Sequence, residues 1–354
     1  MDTDDFRLVR EAFRAFAARA RIDSADVKPS ARAAAQEALD GLGLAELRRS
    51  PSSPMAAGHS SPLATGQECA LLAEDHGAQP LATSFLGTVL LAPELLRLLG
   101  DDRPESDAAP TIALSADLGF PSSGFPSSGF PDVNGDVGEV GTVGPGSATA
   151  AVAWDCEGAD GALHLAPDGV VTLCGLGSAV PSIDFGRTLR AAVPPAVVLG
   201  SLDLASTQRW QAFALVMVAS ELIGAARSFV QESVEYARER RQYGQPIGAF
   251  QAVQHLLADA TVLVEAGLSA TRYAAWCLDH EPPAAALHAA RVAKAEVNRS
   301  AVEAIHTGMQ VFGGIAQTWE HVAHLYLRRA RVGAATLATT PELLAILAQP
   351  VGDR

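Results

Sequence analysis

Aromatic residues are scarce in this chain, at 6% of 354 residues, and charged residues reach only 19%. No stretch of about 18 uninterrupted apolar residues occurs, so no membrane-spanning helix is expected. Cysteine is limited to Cys69, Cys156, Cys174 and Cys277. None forms a CxxC pair and the spacings fit no zinc site, so scattered reduced thiols of a cytosolic protein are expected. The N-terminus, Met1-Asp-Thr-Asp-Asp-Phe, is acidic and has no apolar core. No signal peptide is therefore expected, and the expected location is cytoplasmic. Positive charge is also short: the net charge of −14 argues against a surface that grips nucleic acid or an acidic membrane. It leaves room for a local basic pocket that takes a phosphate-bearing ligand.

What the chain has in abundance is alanine and leucine, which favour helix. Phe6, Val9, Phe13, Phe16 and Ala17 recur at helical spacing, and Ala34 to Leu47 is a second amphipathic run. Arg49 to Gly66 is rich in Ser, Pro and Gly and reads as a loop. Gln67 to His76 and Pro80 to Leu99 read as further helices, the second apolar enough to be buried. Residues 1–107 thus form an N-terminal helical domain.

The middle, 108–203, reads as a small β domain. Thr111–Ala116, Thr149–Trp154, Ala162–Leu165, Val170–Cys174 and Thr188–Val193 are candidate strands, with turn signals such as Pro167-Asp-Gly between them. From Gly119 the chain runs through nearly three copies of a Phe-Pro-Ser-Ser-Gly unit, a low-complexity insertion over 119–132 with no assigned fold. The remainder, 204–354, is helical again. Leu215–Arg241, Phe250–Asp279, Pro283–Phe312 and Trp319–Leu337 are four long helices on short connections, the pattern of a four-helix bundle. The fold class is α+β in the order helices, β domain, bundle.

The chemistry-bearing stretch is Tyr236-Ala-Arg-Glu-Arg-Arg-Gln-Tyr-Gly-Gln-Pro-Ile-Gly-Ala-Phe-Gln-Ala-Val-Gln-His255. It leaves one helix, breaks at Gly244–Gly248 and enters another. A helix start offers free N–H donors and a positive dipole end, which suits an anion. The plain alternative is a solvated helix end, because cations favour C-termini.

Four pieces together resemble the acyl-CoA dehydrogenase family, in the variant typical of actinobacterial members. They are Arg240-Arg-Gln-Tyr-Gly with Phe250-Gln251, His255 and Asp259; Gln310-Val-Phe-Gly-Gly314; Thr318-Trp-Glu-His321 followed by His324-Leu-Tyr-Leu-Arg-Arg-Ala330; and Ser182-Ile-Asp-Phe-Gly-Arg187, which looks like the family's Asp-x-x-Arg turn. The resemblance implies an acyl-CoA dehydrogenase-like fold, FAD as cofactor and α,β-dehydrogenation of an acyl thioester. It implies that Arg240 faces the flavin pyrophosphate or adenosine of a neighbouring subunit, as a forked, permanently charged guanidinium can. Gln242, Tyr243 and Gln251 would contact the same dinucleotide. Gln310, Gly313 and Gly314 would form the other subunit's half of that site, where glycine permits close backbone approach. The plain reading of Gly313-Gly314 is a helix C-cap. Ala316 stands where the family has another glycine. His321 and His324 lie three apart with no acidic partner at ligand spacing beyond Glu320, and no metal site is expected.

The chain departs from the family at the catalytic base. A carboxylate must remove the α proton while the β hydride goes to the flavin. Counting along the matching motifs puts the usual base position at Leu337, and the earlier position used by a minority of members at Ala214. Neither is an acid, and the catalytic residues are unknown. Glu221 reads as structural, and Glu342 would need a rebuilt loop. The family's flavin-contacting Thr-Glu-Pro-Gly-x-Gly-Ser-Asp strand motif has no counterpart between Thr111 and Val193. The chain resembles the shorter, base-lacking subunit of heteromeric members, paired with a longer homologous subunit that supplies the base. Two alternatives stay open: a self-sufficient acyl-CoA or acyl-carrier-protein dehydrogenase with an unconventional base, and a flavin-free, non-redox scaffold. All three imply a homo- or hetero-oligomer. A redox-active form would pass electrons to an electron-transfer flavoprotein.

Overall fold

The computed structural model describes residues 3–48, 62–100, 110–120 and 151–349. Most of the expected loop at 49–66 and of the insertion at 119–132 lies outside the described residues. Helix α1 (Thr3–Ala20) opens with Asp4 and Asp5 and ends with Arg19, each charge complementing the helix dipole. Its buried stripe of Phe6, Phe13, Phe16 and Ala17 is the one its spacing announces. Helix α2 (Pro29–Asp40) begins on a proline and continues into a short tight turn at Leu44–Arg48. Helix α3 (Gly66–Gly77) starts on a capping box between Thr65 and Glu68. The apolar stretch after Pro80 becomes helical only from Leu86, first as a wide π turn to Leu91 and then as α4 (Ala92–Leu99).

The β domain is a closed five-stranded barrel in the order β1-β2-β5-β4-β3. Its strands are β1 (Thr111–Leu114), β2 (Val152–Trp154), β3 (Ala162–Leu165), β4 (Val170–Val180) and β5 (Leu189–Ser201). β1 and β3 are parallel and the other pairings antiparallel. β4 and β5 extend well beyond the expected spans, with register shifts that bend the long hairpin. A cluster of small residues, Ala113, Ala151, Ala153, Cys156, Ala162, Cys174 and Ala192, packs within the barrel strands and their flanks. All four cysteines are free and buried.

The bundle comprises α5 (Leu204–Glu239), α6 (Gln251–His280), α7 (Pro283–Phe312) and α8 (Ala323–Ala335), followed by the short α9 (Thr340–Leu347). α5 starts ahead of its expected position because Asp203 caps it, accepting from the Ser206 N–H at 2.7 Å. α8 starts later than expected, at Ala323, whose N–H donates to His321 Nδ1 at 3.1 Å. By length and composition α5 could cross a membrane, which the sequence pattern did not lead us to expect, but 89% of its apolar window is buried inside the protein. It is the central helix of the core. α3 crosses it almost backbone to backbone: a Cβ on Gly77 would lie 1.9 Å from the Glu221 carbonyl oxygen, and one on Gly224 2.1 Å from that of Glu74.

Charged side chains fasten the layers. Asp75 on α3 accepts from Arg10 at 2.5 Å and Arg14 at 2.9 Å. Glu74 pairs with Arg227 on α5 and Arg272 on α6. Asp279 on α6 accepts from the N–H groups of Gly66 and Gln67 at 2.7 and 3.0 Å, a second cap for α3 from outside the helix.

Candidate functional site

The basic elbow is a two-residue hairpin. α5 ends as Arg240 turns extended (φ −67°, ψ 123°), and Arg241-Gln242 pairs antiparallel with Gln245-Pro246. Tyr243 (φ 53°) and Gly244 (φ 81°) make the turn, both left-handed as a type I′ hairpin requires. A tyrosine in that region is strained, and its side chain gains little from the fold: Tyr243 is 94% exposed and meets the edge of Phe250 at 6.2 Å. Gln242 folds back to donate to the Arg241 carbonyl at 2.8 Å, and Gln254 donates to the Gly248 carbonyl at 2.9 Å. α6 then begins at Gln251 with no side-chain cap and no acidic residue in its first turn. Arg238 pairs with Glu235 on the surface, whereas Arg240 and Arg241 enter no ion pair among the described residues. The elbow therefore presents two uncompensated guanidinium groups beside an uncapped helix N-terminus, an arrangement suited to a pyrophosphate.

The glycine loop sits at the same end of the bundle. Gln310 is exposed in the last turn of α7, which stops at Gly313 (φ 66°). Phe312 stacks on Tyr236 of α5 at 4.5 Å and against His321 at 4.6 Å, and these contacts tie the loop to the helix that carries the elbow. A Cβ on Gly313 or Gly314 would meet nothing within 4 Å. The positive φ accounts for Gly313, but nothing among the described residues requires Gly314. Ala316 points its methyl into the core, at 1% exposure, and so does not narrow the outer surface. Among the described residues no hydrogen bond joins Arg240, Gln242, Tyr243 or Gln251 to Gln310, Gly313 or Gly314. The structure brings the two groups to one end of the bundle and leaves both facing outward. His321 and His324 are engaged locally, His324 stacking on Trp319 at 4.8 Å.

The Asp184–Arg187 turn lies in a buried ionic cluster where barrel, α3, α5 and α8 meet. Arg187 pairs with Asp155 at 2.9 Å, Asp184 at 3.5 Å and Glu221, and its guanidinium lies 4.3 Å over Trp154. Arg329 pairs with Asp184 at 2.7 Å and Glu221 at 3.4 Å and donates to the Leu81 carbonyl at 2.9 Å. His76 shares a 2.6 Å hydrogen bond with Glu221. Burial pushes the His76 imidazole down, so it is neutral and Nδ1–H donates. Burial opposes ionisation of Glu221, but Arg187 and Arg329 outweigh it and hold the carboxyl far below the usual range. Such a group is a poor general base, so Glu221 is a structural ion. His76 and Asp155 escaped the sequence reading because no motif links them to the turn.

The other base candidates are equally engaged. Glu342 accepts from the Thr339 N–H at 2.7 Å in the capping box of α9. Ala214 and Leu337 are buried and apolar.

Residues 212–346 match the family pattern described as acyl-CoA dehydrogenase, C-terminal domain. The chain carries an acyl-CoA dehydrogenase C-terminal domain. Over 140 residues it is 39% identical to the acyl-CoA dehydrogenase IpdE2 of Mycobacterium tuberculosis, covering 40% of this chain and 42% of that protein. The chain spans less than half the length of each of the curated mycobacterial relatives it matches. These relatives fit an actinobacterial type of acyl-CoA dehydrogenase. The whole fold agrees: the Tcur3481-Tcur3483 steroid ACAD superposes with a TM-score of 0.72 at 19% identity, over 97% of this chain and 96% of that one. The ChsE4-ChsE5 complex of Mycobacterium tuberculosis superposes with a TM-score of 0.69 at 19% identity, over 100% and 99%. The elbow and the glycine loop both lie within the matched residues 212–346.

Proposed function

We propose that this chain is an FAD-binding subunit of an acyl-CoA dehydrogenase that oxidises an acyl thioester at its α,β bond, with a longer homologous partner supplying the catalytic base. The observation that carries this reading is a contrast within one chain. Arg240, Gln251, Gln310 and Gly314 remain exposed and unused by the fold, while both base positions hold apolar residues sealed in the core. The unpaired guanidinium groups, the uncapped start of α6 and the open space over Gly314 fit the anionic, adenosine-bearing part of a dinucleotide. Bound flavin would accept the β hydride. Arg240 would hold the pyrophosphate, Gln251 would hydrogen-bond the adenosine side, and Gln310 with the Gly313-Gly314 backbone would close over it from the neighbouring subunit. The heteromeric steroid ACAD and ChsE4-ChsE5 neighbours support a two-chain assembly, and an electron-transfer flavoprotein is the proposed acceptor. The proposed location is the cytoplasm.

The test is the visible spectrum of the purified chain, alone and co-expressed with its longer homologue. Flavin bands only in the co-expressed pair, lost in Arg240→Ala with the assembly intact, are the expected result. Unchanged flavin content in Arg240→Ala would remove the assignment of this residue. Bands in the chain alone would favour the self-sufficient reading, and none in either preparation the flavin-free scaffold.

A further inference from the structure

The two positions at which the family frame would place a base lie beside the same short piece of this chain, Leu337 in a backbone bridge to it and Ala214 one helical turn from a tryptophan that it touches. After β1, Ser115 to Gly119 folds into a tight turn: the Ser115 hydroxyl donates to Asp117 at 2.5 Å, and the Gly119 N–H donates to the same carboxylate at 3.2 Å. The turn presents its next residues to the segment after α8. The Leu337 N–H donates to the Leu118 carbonyl at 2.7 Å, and the Phe120 N–H donates to the Leu337 carbonyl at 3.1 Å, which makes a parallel bridge. Phe120 then lays its ring edge-on to Trp210 at 6.0 Å. Trp210 lies one helical turn before Ala214 on α5.

The bridge is held under strain. Leu118 (φ 65°) and Leu337 (φ 69°) are both left-handed without being glycine. Ala214 is 0% exposed and Leu337 2%. A groove of about 620 Å³ along α7 and α8 is lined by Ala335 and Thr339 on either side of Leu337, but not by Leu337 itself. A base must lie within hydrogen-bond reach of the proton it removes. An acyl group reaching Leu337 from the side of the β1 turn would have to displace Leu118 and Phe120.

We infer that the Leu118–Phe120 segment is a built-in plug that fills this chain's own acyl site, so that the chain takes no acyl chain there and contributes only its outer dinucleotide surface. This rests on the proposed assignment of the base positions and extends it from a missing carboxylate to a closed pocket. The experiment is a calorimetric titration of the full-length chain, without a partner, with free coenzyme A and with short, medium and long saturated acyl-CoA thioesters. The wild-type chain binds all of them alike, within about threefold. In Phe120→Ala affinity climbs with chain length, by up to roughly fourfold for each methylene buried. Leu118→Gly relieves a left-handed leucine and serves as the second opening variant if Phe120→Ala does not fold. Affinity that climbs with chain length in the wild-type protein would overturn the inference, and so would a flat response in both the wild type and the opened variants. Flavin retention in Arg240→Ala reads the opposite surface, so failure of the plug and failure of the dinucleotide reading are distinguishable.

Discussion

Lys294 offers the sharpest quantitative test of the structure. It sits on α7, fully buried, and its ammonium donates to Asn298 Oδ1, to the Gly333 carbonyl at 2.9 Å and to the Ala338 carbonyl at 3.5 Å. Among the described residues no carboxylate pairs with it, and burial pushes it down from 10.5 to about 7. A folded-state value below the unfolded one means that the unfolded chain binds more protons between the two, so stability rises with pH across that window. The full difference corresponds to about 5 kcal/mol, as an upper figure, reached only above the unfolded value. Between pH 7 and pH 8.5 the rise is at most about 1.4 kcal/mol per pH unit, or about 2 kcal/mol in all. Higher pH brings an opposing effect, because burial pushes the Cys69 and Cys174 thiols up to about 12 and the unfolded thiols ionise first. Urea titrations of the wild type and Lys294→Met over this range isolate the lysine by difference. The expected result is a rising wild-type curve against a flat difference-corrected variant. Parallel curves would refute the claim that Lys294 is a buried amine without an ionic partner.

Two further outcomes follow from the packing. In the buried cluster three carboxylates, Asp155, Asp184 and Glu221, face two guanidinium groups, Arg187 and Arg329. Arg187→Met worsens that imbalance and should cost about 4 kcal/mol, whereas Glu221→Gln relieves it and should cost visibly less; denaturant midpoints in the reverse order would refute the charge count. Gly224→Ala drives a methyl onto the Glu74 backbone and should cost about 3 kcal/mol in the same assay, while Gly314→Ala, with open space above it, should stay within about 0.5 kcal/mol.

The helices were legible because their signals are local. The span of α7 is the one read from Pro283 to Phe312, since a proline start and a Gly313 stop bracket it. The elbow was legible as a motif because it is a contiguous run of residues with its own turn signal at Tyr243-Gly244. The ends of β4 and β5 were not, because pairing with a partner strand, more than strand propensity, extended them beyond their expected limits. The start of α8 depended on a histidine ring reaching back to a backbone N–H, a contact the apolar periodicity does not register.

The sequence by itself determined the order of helices, β domain and bundle, the family of the C-terminal domain, and the absence of a carboxylate at Leu337 and Ala214. Each is a matter of residue type and spacing along the chain. Only the tertiary structure decided that Glu221 is an ion held by two arginines, that Lys294 is buried with no carboxylate beside it among the described residues, and that Leu118 and Phe120 bridge to Leu337. Those facts depend on which side chains from distant segments share a low-dielectric interior, where a charge must find a partner or lose its proton and an apolar side chain fills any space left by a lost one.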